Sequence, residues 1–482
     1  MTNVVFEKPD LLLALPEIWL LSMACVVLVV DLFSKDRDHG PAFLLTQFTL
    51  LAGIVITWTT QWGIDATTFN GSYVADSLAA VLKSAILLLT FLAFAYSRDY
   101  MRDRGLLKGE YYMLGLFCVL GMMVTVSAGN LLTLYLGVEL MSLCLYALVA
   151  IDRDSPTASE AAMKYFVLGA LASGMLLYGM SMLYGVTGTL DLAIITELAG
   201  DMDENRLLFL FGLVFMLVGV AFKFGAVPFH MWVPDVYHGA PTPVTLVIAT
   251  ASKVAAVGLF LRLIGEGLLP LLDSWQHMVV ILAVLSLVLG NTIALVQTNT
   301  KRMLAYSTFN HVGFILMGFV AGTPEGYGAA TFYAVTYALT VAAAFGVIML
   351  LARKGFEADQ ITDFKGLNER SPLFALVMLL LMISLTGIPG TVGFYAKWMV
   401  LKSVVEAGFV WLAILAVIGA VVGAFYYLRL VRYCYFDKPE GEGPRPEGSG
   451  GFQAVLAING LAVLWLGIFP GTLVAICMAA FL

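Results

Sequence analysis

Three lysines stand where a charge is costly. Lys223, Lys253 and Lys397 lie inside the apolar runs LVGVAFKFGAVPF, TLVIATASKVAAVGLF and GFYAKWMVLK. A lone charge at a bilayer centre costs ~2.5–3.5 kcal/mol on insertion scales. Residues of this kind face a polar or wet interior, so an ion or proton path is the first chemistry to expect of them. Glu139 sits in a fourth run, LLTLYLGVELMSLCLYAL. Tyr135, Glu139, Ser142 and Tyr146 recur at i, i+4, i+7 and i+11, which makes one polar stripe on one helix face. A carboxylate there needs a cationic partner, and Lys223 is the expected one. A lysine beside a movable counter-charge changes its proton affinity as the pair forms and breaks.

Other polar residues extend the set. Thr250 shares the face of Lys253, and Ser252 is next to it. Ser307, Asn310 and His311 fall together in one run, and Thr336, Tyr337 and Thr340 in the next. These groups could hydrogen-bond a file of waters. His311 reads either as a satisfied core histidine or as a proton relay. His230 and His238 flank a proline-rich break, where they cap freed carbonyls, sit at headgroup depth or carry protons. Lys164 lies near the end of its run and either snorkels to the surface or joins the chain of charges. Lys83, about two turns inside its run, reads as structural. Asp31 and Asp76 lie near run ends and read as interfacial.

The elements that must position these residues follow from composition. The chain has 482 residues, 60% hydrophobic and only 12% charged. Apolar runs of 18 or more residues recur along it, which predicts an all-α polytopic membrane protein with about fourteen spans. The first run, PEIWLLSMACVVLVVDLF, lacks a basic leader and a small-residue cleavage site, so it reads as a retained helix. Residues 1–110 hold spans 1–3, 111–265 spans 4–8 and 275–436 spans 9–13. A polar linker covers 437–451, and the last span falls in 452–482. Of the 26 lysines and arginines, seventeen fall on one side, Arg37, Lys301, Arg302 and Arg445 among them, and four on the other. That bias places the basic face in the cytoplasm and both termini outside.

Two spans should be broken. Pro228 interrupts span 7 and Pro389, between two glycines, interrupts span 12; proline removes a backbone donor and clashes with the preceding turn. Spans 7 and 12 are five apart, so they run antiparallel. Spans 4–8 and 9–13 then form two inverted five-helix repeats, each with a broken helix. Discontinuous helices at matching positions of two halves point to a transport site.

Several classes are excluded or disfavoured. No basic tract suggests nucleic-acid binding. The five cysteines form no CxxC pair and read as small buried hydrophobes. No iron–sulfur, zinc or haem site is expected, and no metal or cofactor is expected on this chain.

The runs GVELMSLCLYAL, AAMKYFVLGA, AFKFGAVPFHMWVPDVYHGAPTPVT, ASKVAA and TGIPGTVGFYAKW together resemble the antiporter-like subunits of respiratory complex I, the NADH:quinone oxidoreductase. The resemblance covers essentially the whole chain. Its length and span count are similar to the N-type subunit of bacteria. The L-type carries a long lateral helix that is absent here, and the M-type places a glutamate where this chain has Lys397. The resemblance implies a proton-translocating subunit of the inner membrane, driven by quinone reduction elsewhere in the complex. Glu139 and Lys223 would be the ion pair of the first half-channel, Lys164 its connection, Lys253 the central lysine and Lys397 the terminal one. Flavin, iron–sulfur clusters and quinone would lie on other subunits, and M-type and K-type subunits and lipids would be its neighbours. Two other readings stay open. One is a subunit of a cation/proton antiporter or membrane-bound hydrogenase. The other is a non-pumping membrane scaffold.

Overall fold

Short polar residues start the helices. Asp76 accepts from the Ala79 amide, Asn130 from Leu132 and Thr133, Ser155 from Ala158, and Asn299 from Arg302. Each is an N-cap that satisfies a donor the helix itself cannot. In the computed structural model, residues 8–36, 38–200, 206–438, 444 and 446–481 are described. Arg37, Arg445 and linker residues 439–443 lie outside the described residues.

The helices are α1 (Leu15–Phe33), α2 (Gly40–Gln61), α3 (Ser77–Asp103), α4 (Gly109–Val126), α5 (Leu131–Val149), α6 (Pro156–Thr187) and α7 (Leu192–Ala199). There follow α8 (Arg206–Phe224), α9 (Val233–Gly239), α10 (Thr242–Ala249), α11 (Ala251–Phe260), α12 (Leu272–Ala294), α13 (Thr300–Val320) and α14 (Pro324–Leu351). The last are α15 (Leu367–Arg370), α16 (Pro372–Thr386), α17 (Val392–Glu406), α18 (Val410–Tyr435), α19 (Gly450–Ile468) and α20 (Gly471–Ala479).

Among the described residues, 13 helices are long and apolar enough to cross a membrane. The one expected span missing from these thirteen, span 12 (residues 372–402), is present as two pieces, α16 and α17, of 15 residues each. Neither piece is long enough alone, since a straight span needs ~20 residues. The chain is not purely helical either. Ala66–Thr68 (β1) pairs antiparallel with Tyr73–Ala75 (β2) in a small hairpin between α2 and α3.

Helix α14 lies at the centre and touches α3, α10, α11, α13, α16, α17 and α19. Helices α10, α11, α13 and α14 are buried almost all round, whereas α1, α18 and α19 keep much of their apolar surface exposed. A helix that is apolar on every side and exposed suits lipid, and a buried one can carry polar groups inward. Span 8 is also less regular than its sequence suggests. It breaks at Thr250 between α10 and α11 and ends in a π-turn, Leu261–Glu266. Thr250 and Ser252 each donate to the carbonyl four residues back, a bond known to bend helices.

Candidate functional site

The two proline breaks leave carbonyls without partners. At a helix C-terminus the last carbonyls lack intrahelical donors and carry partial negative charge. In an apolar interior such groups are costly unless paired. Helix α8 stops at Phe224, and Gly225 follows with φ +69°. A Cβ at Gly225 would lie 2.7 Å from Val233, so the close turn back to α9 requires glycine. The ammonium of Lys253 reaches across from α11 and donates to the carbonyls of Lys223 (3.2 Å) and Phe224 (2.9 Å).

The second break repeats the device. Helix α16 stops at Thr386, and Gly387 and Gly390 flank Pro389 with φ +88° and +95°. Lys397, from α17, donates to the carbonyls of Leu385 (2.9 Å) and Thr386 (2.8 Å). A Cβ on Gly387 would sit 2.8 Å from the Lys397 Cδ, so the stem of the lysine also requires glycine there. Each buried lysine thus rests against the open end of a half-helix.

Lys223 is buried and donates to the Ser142 hydroxyl at 2.6 Å, and that hydroxyl donates to the Val138 carbonyl at 2.5 Å. Glu139 is half-buried on α5, one turn before Ser142, and its Oε1 has no hydrogen-bond partner among the described residues. The Lys223 ammonium therefore rests on the polar stripe beside Glu139 and not on the carboxylate itself. Tyr146, further along the stripe, also has an unpartnered buried hydroxyl. Both orphan groups lie on the α5 stripe that Lys223 reaches through Ser142.

His311 lies between two tyrosines. Its Nδ1 is 2.8 Å from Tyr333 Oη, and its Nε2 is 2.9 Å from Tyr427 Oη. Tyr427 Oη in turn meets Ser307 Oγ at 2.5 Å. Tyr337 donates to Thr308 at 2.8 Å, and Asn291 donates to Asn310 at 3.0 Å. A hydroxyl can donate or accept, so either protonation state of the imidazole finds partners here. His311, Tyr333, Tyr337, Thr340 and Lys397 line one small cavity, which brings the histidine and the terminal lysine to a common space. The His230 ring packs edge-on to Phe309 beside the Pro228 break, and its Nδ1 has no partner among the described residues.

Lys164 stands apart. Its side chain is 43% exposed and pairs with Glu160 (2.8 Å) and Asp235 (2.7 Å). Asp235 also binds Arg302 at 3.1 Å, so a charge network links α6, α9 and α13 near the basic face. Lys83 is buried with Glu17 at 2.6 Å, and Tyr73 and Gln61 complete the cluster. Sequence reasoning missed Glu17, Asp235, Tyr333 and Tyr427. Glu17 alone left a signal, as a carboxylate at the start of an apolar run. No group of His, Cys, Asp and Glu able to hold a metal ion is found among the described residues.

Comparison with known proteins gives consistent matches. A family model described as NADH:quinone oxidoreductase/Mrp antiporter, transmembrane, matches residues 128–423. NADH-quinone oxidoreductase subunit N of Alkalilimnicola ehrlichii is 63% identical over 99% of this chain and 98% of its own length. The subunit N of Halorhodospira halophila is 60% identical over 98% of this chain and 99% of its own. A chain in the structure of respiratory complex I from Thermus thermophilus with bound aureothin superposes with a TM-score of 0.82 at 31% identity. That match covers 95% of this chain and 98% of the other.

Proposed function

We propose that this chain, which belongs to the family of NADH-quinone oxidoreductase subunit N, moves protons across the membrane through its buried lysines and Glu139. The observation that carries the reading is the repeated lysine-on-half-helix contact. Lys253 and Lys397 are each held by two carbonyls at an open helix end, and no carboxylate among the described residues fixes either one. Carbonyl dipoles can hold an ammonium but also release it to a neutral amine. A full ion pair would lock the charge in place.

A proton taken up near Glu139 passes to Lys223, then to Lys253, then through His311 and the tyrosine hydroxyls to Lys397. Lys223 and Lys253 meet at one place, since Lys253 donates to the backbone carbonyl of Lys223. Spans 4–8 and 9–13 act as two inverted halves, residues 111–265 and 275–436, and Lys253 joins them. Residues 1–110 and 452–482 flank the two halves. The basic face lies in the cytoplasm with both termini outside, in the inner membrane. Quinone reduction elsewhere in the complex drives the movement. Flavin, iron–sulfur clusters and quinone reside on other subunits, and M-type and K-type subunits and lipids surround this chain.

The reading is tested by Lys223→Met in the intact complex, with the pH gradient measured in sealed vesicles. A gradient formed about fivefold more slowly is expected, equal to ~1 kcal/mol of added barrier. An unchanged gradient would make the chain a scaffold. Lys164→Ala should do less. Exposed ion pairs contribute ~0–1 kcal/mol, and Asp235 keeps Arg302 as a partner. The NADH-driven quinone reduction rate should fall no more than about twofold.

A further inference from the structure

A polar cavity of about 260 Å³ opens on the basic face, away from Lys223 and Lys397. Arg104, Asp152, His238, Lys301, Glu357 and Asp359 line it. Glu357 forms its rim, 42% exposed, and is held by Arg104 at 2.8 Å and by the Tyr100 hydroxyl at 2.6 Å. Asp359 accepts from Asn299 at 2.6 Å and lies 3.8 Å from His238. At the inner wall stands Lys301, only 2% exposed. Its ammonium donates to the Ala240 carbonyl at 2.9 Å. An ammonium has three donors to place, so a single carbonyl holds this one loosely.

Lys301 opens α13, the helix that carries His311. Lys301, Thr308 and His311 fall at i, i+7 and i+10, and all three are buried. Lys301 and Thr308 are two turns apart on one face, ~10 Å along the axis. Tyr237, on the α9 helix that packs against α13, is fully buried beside Thr308, and among the described residues its hydroxyl makes no aligned hydrogen bond. Thr308 accepts from Tyr337, and Tyr337 packs on the His311 ring at 4.7 Å between centroids. The Tyr237, Thr308 and Tyr337 hydroxyls thus form a group along the helix that Lys301 begins, and Tyr337 lines the cavity that His311 shares with Lys397.

We propose that this cavity is a second proton-uptake mouth and that Lys301 is its gate, feeding His311 and Lys397 without passing Glu139 or Lys223. The proposal rests on the proton-conducting reading of the chain. A proton taken from water by the Glu357 or Asp359 carboxylate passes to the neutral Lys301 amine. It leaves along the Tyr237, Thr308 and Tyr337 hydroxyls, each giving its proton onward and regaining one from the group before it, and arrives on a water in the small cavity that Tyr337 shares with His311 and Lys397. No electron moves. A lysine that only capped the Ala240 carbonyl would do so equally well as arginine, whereas a gate must give up its proton, and arginine does not.

The test uses the intact complex in sealed vesicles with Lys301→Met, Lys301→Arg and Lys301→His. Because each coupled turnover draws on both uptake routes, proton pumping should fall about tenfold in the Met and Arg variants and stay within about threefold of the parent in the His variant. An Arg variant that pumps at the parent rate overturns the proposal. A correctly assembled His variant as slow as Met overturns it as well. Should the Lys301 variants not assemble, Glu357→Gln combined with Asp359→Asn is expected to slow pumping about threefold, and an unchanged rate overturns the mouth. Lys223→Met in the same vesicles separates the two readings. If it too leaves pumping unchanged, the conducting role of the whole chain has failed and not the mouth alone.

Discussion

Lys253→Met is expected to lower NADH-driven quinone reduction and proton pumping together by at least tenfold, or more than ~1.4 kcal/mol of barrier. Methionine matches the lysine in length but brings neither charge nor donor. The carbonyls of Lys223 and Phe224 would then face an apolar side chain. Leaving a buried polar group unpaired costs ~1–3 kcal/mol, and the open end of α8 would lose the titratable side chain that now holds its carbonyls. Lys253→Arg separates these two effects. It restores the donors but not the release of a proton, so assembly should recover while both rates stay low. Rates recorded on complex of verified size would show this. An Arg variant with normal pumping would mean that Lys253 is needed only as a cap.

Lys397→Glu should be at least as damaging, more than about tenfold. Here the lysine points its ammonium at the carbonyls of Leu385 and Thr386, at 2.9 and 2.8 Å. A carboxylate in the same place would set negative charge against the negative end of the α16 dipole. It would also leave both carbonyls without a donor. Pumping by the Glu variant in sealed vesicles is the measurement. A Glu variant that pumps normally would show that the carbonyl contacts are incidental to the path.

The lysines and the two broken spans were legible because a charge or a proline inside a long apolar run contrasts with everything around it. Lys223, Lys253, Lys397, Pro228 and Pro389 all stand out in this way. What they touch was not legible. The acceptors of Lys253 are backbone carbonyls some thirty residues earlier, and every residue type carries a carbonyl. The tyrosines beside His311 come from α14 and α18, where aromatic residues in apolar spans give no sign of a polar partner. The break at Thr250 arose without proline or glycine, through side-chain bonds to the backbone that spacing does not reveal. Lys301 was counted with the surface charges because it borders a loop, yet it is buried. The sequence predicts Glu139 and Lys223 as a direct pair. Charge complementarity set that expectation, and the Ser142 hydroxyl, one turn along α5, is what Lys223 bonds to instead.

The conducting role of the buried lysines is tested most directly by the ratio of protons moved to electrons transferred. It is recorded in sealed vesicles that hold the intact complex with Lys223→Ala, following quinone reduction and internal pH in the same sample. A fall in both rates with the ratio of the residual turnover preserved is the expected result. It would place Lys223 on an obligatory, coupled path. Full quinone reduction with a normal gradient would contradict the account and leave the lysines as caps of broken helices.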